Sequence, residues 1–210
     1  CQSEERTHTR LLVQDSGALM TPNSKPAGSA GGLSFLDPQG DALPRPHGNT
    51  YWLWAGHVLA GEHPAKEGEE QLSEKLQLFA LAGITHFIDL TSPADPVKTY
   101  QPLGGAVRIN HPITDFGVPS PLQMQSILQS IQSALSQGGK VYVHCKGGIG
   151  RTGTVAATWL TEQGLDDKQA LALLLQKWQA MDKRFEEPHT PETQAQREFV
   201  RTWHKAKPSR

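Results

Sequence analysis

Val141-Tyr142-Val143-His144-Cys145-Lys146-Gly147-Gly148-Ile149-Gly150-Arg151-Thr152-Gly153 is the stretch on which the reading of this chain turns. Val141 to His144 follows Gly138-Gly139 and reads as a short strand buried on both faces. It runs into a cysteine, then a glycine-rich loop, then an arginine at the entry of a helix. A loop between the C-terminal end of a strand and a helix N-terminus turns several backbone N–H groups into one hollow, which makes an anion site. Glycines let that backbone approach a ligand without Cβ obstruction. Arg151 adds a planar fork able to hold two phosphate oxygens at once. Lys146, Gly147, Gly148, Ile149, Gly150 and Arg151 thus form a cradle for a phosphate-sized dianion. Cys145 stands at its base, where the same donors favour a thiolate, placed to attack phosphorus opposite the leaving group. An isolated cysteine is more often a small buried hydrophobe; here the surrounding glycines and arginine argue otherwise. The Gly-Lys-Ser/Thr ending of a nucleotide-binding phosphate loop is absent, and Arg-Thr stands in its place.

Working outward, Ser120-Pro121-Leu122-Gln123 has a capping serine, a proline at the first helical position and a glutamine three residues after the cap, which predicts a capping box. Met124, Ile127, Leu128, Ile131 and Leu135 continue that helix at helical spacing up to Gly138. Earlier, Tyr51–Trp54 and His57–Ala60 read as a hairpin or two edge strands, residues 69–82 as an amphipathic helix, and Ile84–Leu90 and Ala106–Ile109 as strands. After the loop, helices are expected from Arg151 to Gln163, from Asp166 or Asp167 to about Met181, and from Thr190-Pro191 onward. The fold class is α/β: a central, mostly parallel sheet flanked by helices, with a helical C-terminal half.

The chain has 210 residues, enough for one domain and a tail. Residues 21–50 hold five prolines and five glycines, so residues 1–48 read as a flexible tail and 49–206 as the domain. Twenty Lys and Arg against 21 Asp and Glu leave a formal charge of −1, which disfavours a nucleic-acid partner. The longest apolar run, Ala170–Leu175, falls far short of the roughly 18 to 20 residues of a transmembrane helix. Cys1 and Cys145 are the only cysteines, too few for a disulfide framework. A chain opening on Cys1 reads as a trimmed boundary, with a lipid-modified N-terminus as the alternative. Nine histidines lie without ligand spacing, so neither metal nor other cofactor is expected. A thiolate nucleophile calls for a reducing setting, which favours the cytoplasm.

His-Cys, five residues, Arg and Thr resembles the active-site loop of the cysteine-dependent protein tyrosine phosphatase superfamily, and its wording is most similar to dual-specificity-type bacterial members. The resemblance covers roughly residues 50–204, strongly at the loop and diffusely elsewhere. It implies that Cys145 forms a phosphocysteine, Arg151 binds phosphate, His144 holds the loop, and Thr152 donates to the departing sulfur. It also implies a general-acid aspartate on a loop before the signature helix. Ile113-Thr114-Asp115-Phe116-Gly117-Val118-Pro119-Ser120 matches that loop, with Asp115 as the acid and Asp89 and Asp95 as its rivals. Pro191-Glu192-Thr193-Gln194-Ala195-Gln196 resembles the element whose last glutamine positions the hydrolytic water, here Gln196. Thr114 replaces a tryptophan of the tyrosine-specific members, which implies a shallower pocket. Lys146 is shared with lipid-directed relatives, whereas Ile149 replaces their second basic residue. The expectation is a monomeric phosphomonoester hydrolase acting on a phosphorylated protein or small phosphoester. An inositol phosphate or phosphoinositide phosphatase and a non-catalytic phosphate-binding module are the alternatives.

Overall fold

The computed structural model describes residues 40–208. Five strands, β1 (Thr50–Trp54), β2 (Val58–Gly61), β3 (His86–Asp89), β4 (Val107–Asn110) and β5 (Val141–His144), form one sheet in the order β1-β2-β5-β3-β4. β1 pairs antiparallel with β2 through a tight turn, and every other pairing is parallel. The strand that carries Cys145 at its end is therefore central, paired on both edges and buried throughout. Its unbroken Val-Tyr-Val-His run is what a strand covered on both faces demands.

Alternation along β5 divides the core into two layers. Tyr142 points to the face covered by α1 (Glu69–Leu81), where it meets Phe79 and Phe87 at ring-centroid distances of 4.3 and 5.7 Å. Val141 and Val143 point to the other face. There they pack with residues of α2 (Pro121–Ser136), α3 (Gly150–Glu162), α4 (Asp167–Trp178) and α5 (Gln194–Ala206). α3 is buried almost over its whole length, so the helix whose N-terminus closes the cradle is fixed by the C-terminal helices around it.

Several element boundaries differ from the sequence expectation. α4 stops at Trp178, and a short 3-10 helix, Asp182–Phe185, follows. The last helix starts at Gln194, because Thr193 rather than Thr190 caps it, in a full capping box with Gln196. The box expected at Ser120 is half made. Ser120 Oγ accepts from the Gln123 N–H, but the Gln123 amide donates instead to the Pro112 carbonyl at 2.7 Å. Residues 40–48 lie against the domain. Asp41 pairs with Lys177 at 2.5 Å, and the Arg45 guanidinium reaches the carbonyls of Gly48 and Thr50. Cys1 and the rest of the expected tail fall outside the described residues. Among the described residues no helix is long and apolar enough to cross a membrane.

Candidate active site

At the end of β5 the chain turns through residues 145–149 into α3, and the Gly148 N–H donates to the Cys145 sulfur at 3.2 Å. Gly148 sits at φ +74°, and a Cβ there would fall 2.4 Å from the Gly61 carbonyl carbon, so only glycine permits this approach of the loop to the end of β2. A Cβ on Gly150 would lie 2.7 Å from the Gln196 amide.

The loop is held from outside by its carbonyls. Cys145 C=O accepts from His144 Nδ1 (3.3 Å), Lys146 C=O from the His63 N–H (3.1 Å), Gly147 C=O from Lys183 Nζ (3.0 Å) and Ile149 C=O from the Thr190 hydroxyl (2.8 Å). A trans peptide points its C=O and N–H in opposite directions. Fixing the oxygens outward therefore aims the hydrogens inward.

His144 is fully buried, and its tautomer follows from its partners. The Cys145 carbonyl can only accept, so Nδ1 carries the proton, and Nε2 accepts from the Tyr100 hydroxyl at 2.6 Å. Burial pushes the His144 imidazolium down against the opposing pull of Asp89. Burial and Asp89 push the Tyr100 phenol well up, so it stays a donor.

Arg151 is 2% exposed. Its Nη1 and Nη2 donate to the two oxygens of Asp95, each at 2.7 Å, and Nη1 also donates to the Ile113 carbonyl at 2.9 Å. Asp115 Oδ1 pairs with Nη2 at 2.8 Å from the solvent side. Nε–H is engaged by none of these acceptors, so the Nε edge is the one left for an oxyanion. Burial alone would raise the Asp95 carboxyl, but the Arg151 fork and the Ser92 amide and hydroxyl hold it down at about 2. Asp95 is thus the clamp of Arg151 rather than a proton donor. Asp89 is also committed elsewhere, accepting from Thr91 and from Arg108 Nε at 2.7 Å while fully buried.

A pocket of about 120 Å³ opens above the sulfur, lined by Cys145, Arg151, Asp115, Phe116, Glu192 and Gln196, with Lys66 and Lys146 also on its wall. Gln196 is fully buried. Its Oε1 accepts from the Thr193 N–H in the α5 cap, and its Nε2 donates to the Gly117 carbonyl at 3.1 Å, which ties α5 to the Asp115 loop. The Thr152 hydroxyl is buried and makes no hydrogen bond among the described residues. Cys145, Lys146, Gly147, Ile149, Gly150, Arg151, Asp115 and Gln196 are thereby brought to one pocket, with Gly148 and His144 immediately behind it.

Sequence reasoning missed the clamping role of Asp95, the Tyr100 partner of His144, Lys183 behind the loop, and Glu192. Glu192 borders the pocket, and burial together with Glu187 and Asp115 pushes its carboxyl up. Glu192 stood inside the quoted Pro191–Gln196 element, so its place was readable. The other three come from segments far from the loop in sequence, with no local pattern to announce them.

A family profile described as PTP-SAK, Swiss Army Knife protein, DSP-PTPase phosphatase domain, matches residues 48–200. Among curated proteins, "Putative tyrosine phosphatase 067L" of Invertebrate iridescent virus 3 is 37% identical over 92 residues, covering 41% of this chain and 38% of that protein. The uncharacterized protein MJECL20 of Methanocaldococcus jannaschii is 43% identical over 56 residues, 27% of this chain and 38% of that protein. The chain therefore spans well under half the length of these relatives. They are viral and archaeal, so the likeness carries the phosphatase domain and not the bacterial branch expected from the loop. Among solved structures, Tk-PTP in its active form superposes with a TM-score of 0.55 at 28% identity, over 71% of this chain and 92% of that one. Kinase associated phosphatase, at 17% identity and a TM-score of 0.57 over 70% of this chain and 85% of that one, shares the fold.

Proposed function

The chain belongs to the PTP-SAK family of DSP-PTPase phosphatase domains, and from that premise we propose that it hydrolyses phosphomonoesters through a phosphocysteine on Cys145. The observation that carries this reading is the convergence, in one small pocket, of a sulfur facing a loop amide, a clamped guanidinium and a carboxyl group. The phosphoryl oxygens take the inward N–H groups of the loop and the Nε edge of Arg151, with Asp95 holding the opposite edge still. A phosphate oxygen displaces Asp115 from Nη2, and the freed carboxylate takes up a proton from solvent and turns to the ester oxygen. The Cys145 thiolate then forms the S–P bond as the P–O bond to the substrate breaks, and Asp115 gives its proton to the departing oxygen. In the second half, Asp115 takes a proton from water as the water oxygen attacks phosphorus. The S–P bond breaks, and Thr152, whose hydroxyl has no other partner among the described residues, donates to the leaving sulfur. Gln196 keeps one amide N–H uncommitted beside this water. No step calls for a metal ion.

Thr114 and the exposed Phe116 leave the rim open, which supports a dual-specificity range of phosphorylated side chains. Lys66 and Lys146 on the same wall favour a second reading, a substrate with an additional anionic group such as an inositol phosphate. Phosphate release from phosphotyrosine and phosphothreonine peptides and from inositol phosphates, run beside Cys145→Ser, tests both. The variant should lose turnover on every substrate yet retain inorganic phosphate binding. Turnover by Cys145→Ser would exclude the mechanism.

A further inference from the structure

We propose that Lys183 is a positioning residue for the nucleophile: by holding the Gly147 carbonyl outside the loop, it keeps the Gly148 N–H aimed at the Cys145 sulfur. The inference rests on the phosphatase reading of this pocket and adds to it a residue from a distant segment. The two hydrogen bonds belong to one peptide unit, with Lys183 Nζ on its oxygen at 3.0 Å and the sulfur on its hydrogen at 3.2 Å. That unit joins two glycines, so it is the part of the loop most free to rotate. Rotated by half a turn, it would point a carbonyl dipole at the thiolate and at the phosphate. The other outward carbonyls of the loop, those of Cys145, Lys146 and Ile149, are held by neutral donors, the His144 imidazole, the His63 N–H and the Thr190 hydroxyl. Of these four carbonyls only that of the glycine–glycine unit receives a cation among the described residues, and a cation on the oxygen also polarises the N–H toward a stronger donor.

Lys183 is itself prevented from wandering. Glu62, 2% exposed at the end of β2, holds its Nζ at 2.6 Å and is shared with Lys75 and the Asn49 amide, each at 3.4 Å. His47 beside this cluster is pushed down to about 4 by burial and by Lys75, so it adds no charge near neutral pH. The charged groups facing Lys183 are therefore Glu62 and Lys75, with Glu67 beyond them on Lys75. On the sulfur's side stand Arg151, Asp115, Glu192, Lys66 and Lys146 around the pocket and the buried His144, Tyr51 and Tyr142. The Lys183 ammonium bonds to none of these, only to Glu62 and the Gly147 carbonyl among the described residues.

The test is the rate of Cys145 alkylation by iodoacetamide against pH, with and without inorganic phosphate, in the parent, K183M, K183R and E62Q/K183M proteins. Loss of the cation disfavours the thiolate, so in K183M the midpoint of the alkylation profile moves up by about half a pH unit or more, and phosphate protects about 5- to 10-fold less well. K183R recovers most of that loss. The double variant, which also removes the buried carboxylate that K183M leaves to Lys75 and the Asn49 amide, behaves like K183M and is the one read should K183M fold poorly. A K183M or double-variant profile that superposes on the parent's, with equal protection by phosphate, overturns the proposal, even where turnover falls. Alkylation needs no turnover. A parent that hydrolyses no phosphoester while K183M still shifts the profile would therefore refute the phosphatase reading and leave the role of Lys183 standing.

Discussion

Asp95→Asn removes half of the ion pair that orients Arg151. The side chain is fully inaccessible and accepts four bonds, two from Arg151 at 2.7 Å and two from Ser92 at 2.7 and 3.0 Å. An asparagine keeps one acceptor and turns an NH₂ toward donors. The carboxyl stands at about 2 against an ordinary 3.8, a difference of nearly two pH units, worth about 2 kcal/mol of stability at neutral pH. Removing one partner of a buried pair costs about 3–5 kcal/mol when nothing replaces it. With the amide oxygen retained, about 2–3 kcal/mol is expected, or roughly 5–10 °C in Tm for a domain of this size. The sign in pH follows. A depressed carboxyl gives its full contribution above 3.8 and loses it as pH falls toward about 2, so parent and variant should converge in that window. Urea unfolding at neutral pH and again near pH 2.5 measures both. Inorganic phosphate should also bind the variant about tenfold more weakly, because the unclamped guanidinium loses its fixed edge. A variant within about 0.5 kcal/mol of the parent, with unchanged phosphate affinity, would refute the clamp.

Thr152→Val removes a buried hydroxyl that has no hydrogen-bond partner among the described residues. Stability should hold or rise by about 1 kcal/mol while turnover falls about tenfold; a large loss of stability would show the hydroxyl to be paired. Asp115→Asn should slow hydrolysis by about 10²–10⁴ for poor leaving groups and much less for activated aryl phosphates. If Glu192→Gln shows that pattern and Asp115→Asn does not, the acid is Glu192, whose carboxyl is already pushed up. His47 and His63, lowered to about 4 and 3 chiefly by burial, stay neutral in the fold while the unfolded chain takes up protons below about 6.5. Each should therefore cost about 1–2 kcal/mol of stability between pH 6.5 and 5, read from denaturant unfolding at the two values; flat stability would contradict their burial as neutral rings.

The central strand, the cradle and the helix behind it were legible because each rests on local chemistry. A bounded apolar run makes the strand, glycines permit the turn, and an arginine follows at the helix entry. Asp115 was legible by its place before Ser120-Pro121. Gln196 was legible by its motif, yet its full burial and its bond to Gly117 were not, since a glutamine near a helix start reads equally as surface. The grip on the loop was illegible for a different reason. Asp95 and Tyr100 lie in the connection between β3 and β4, and Lys183 and Thr190 between α4 and α5; only the closing of the sheet and the packing of the C-terminal helices bring them to the backs of Arg151, His144, Gly147 and Ile149. A residue 56 positions from its partner leaves no periodic or spacing signal. For that reason Asp95 read as a rival acid rather than as the guanidinium's counter-ion.

The proposed mechanism requires a covalent bond between phosphorus and the sulfur of residue 145. Mass spectrometry of protein quenched in acid during turnover of a phosphotyrosine peptide measures it directly. The peptide containing Cys145 should carry the added mass of one phosphoryl group, enriched in Asp115→Asn with an activated aryl phosphate and absent from Cys145→Ser. Steady turnover with no adduct on that peptide, or the adduct on any other residue, would contradict the mechanism.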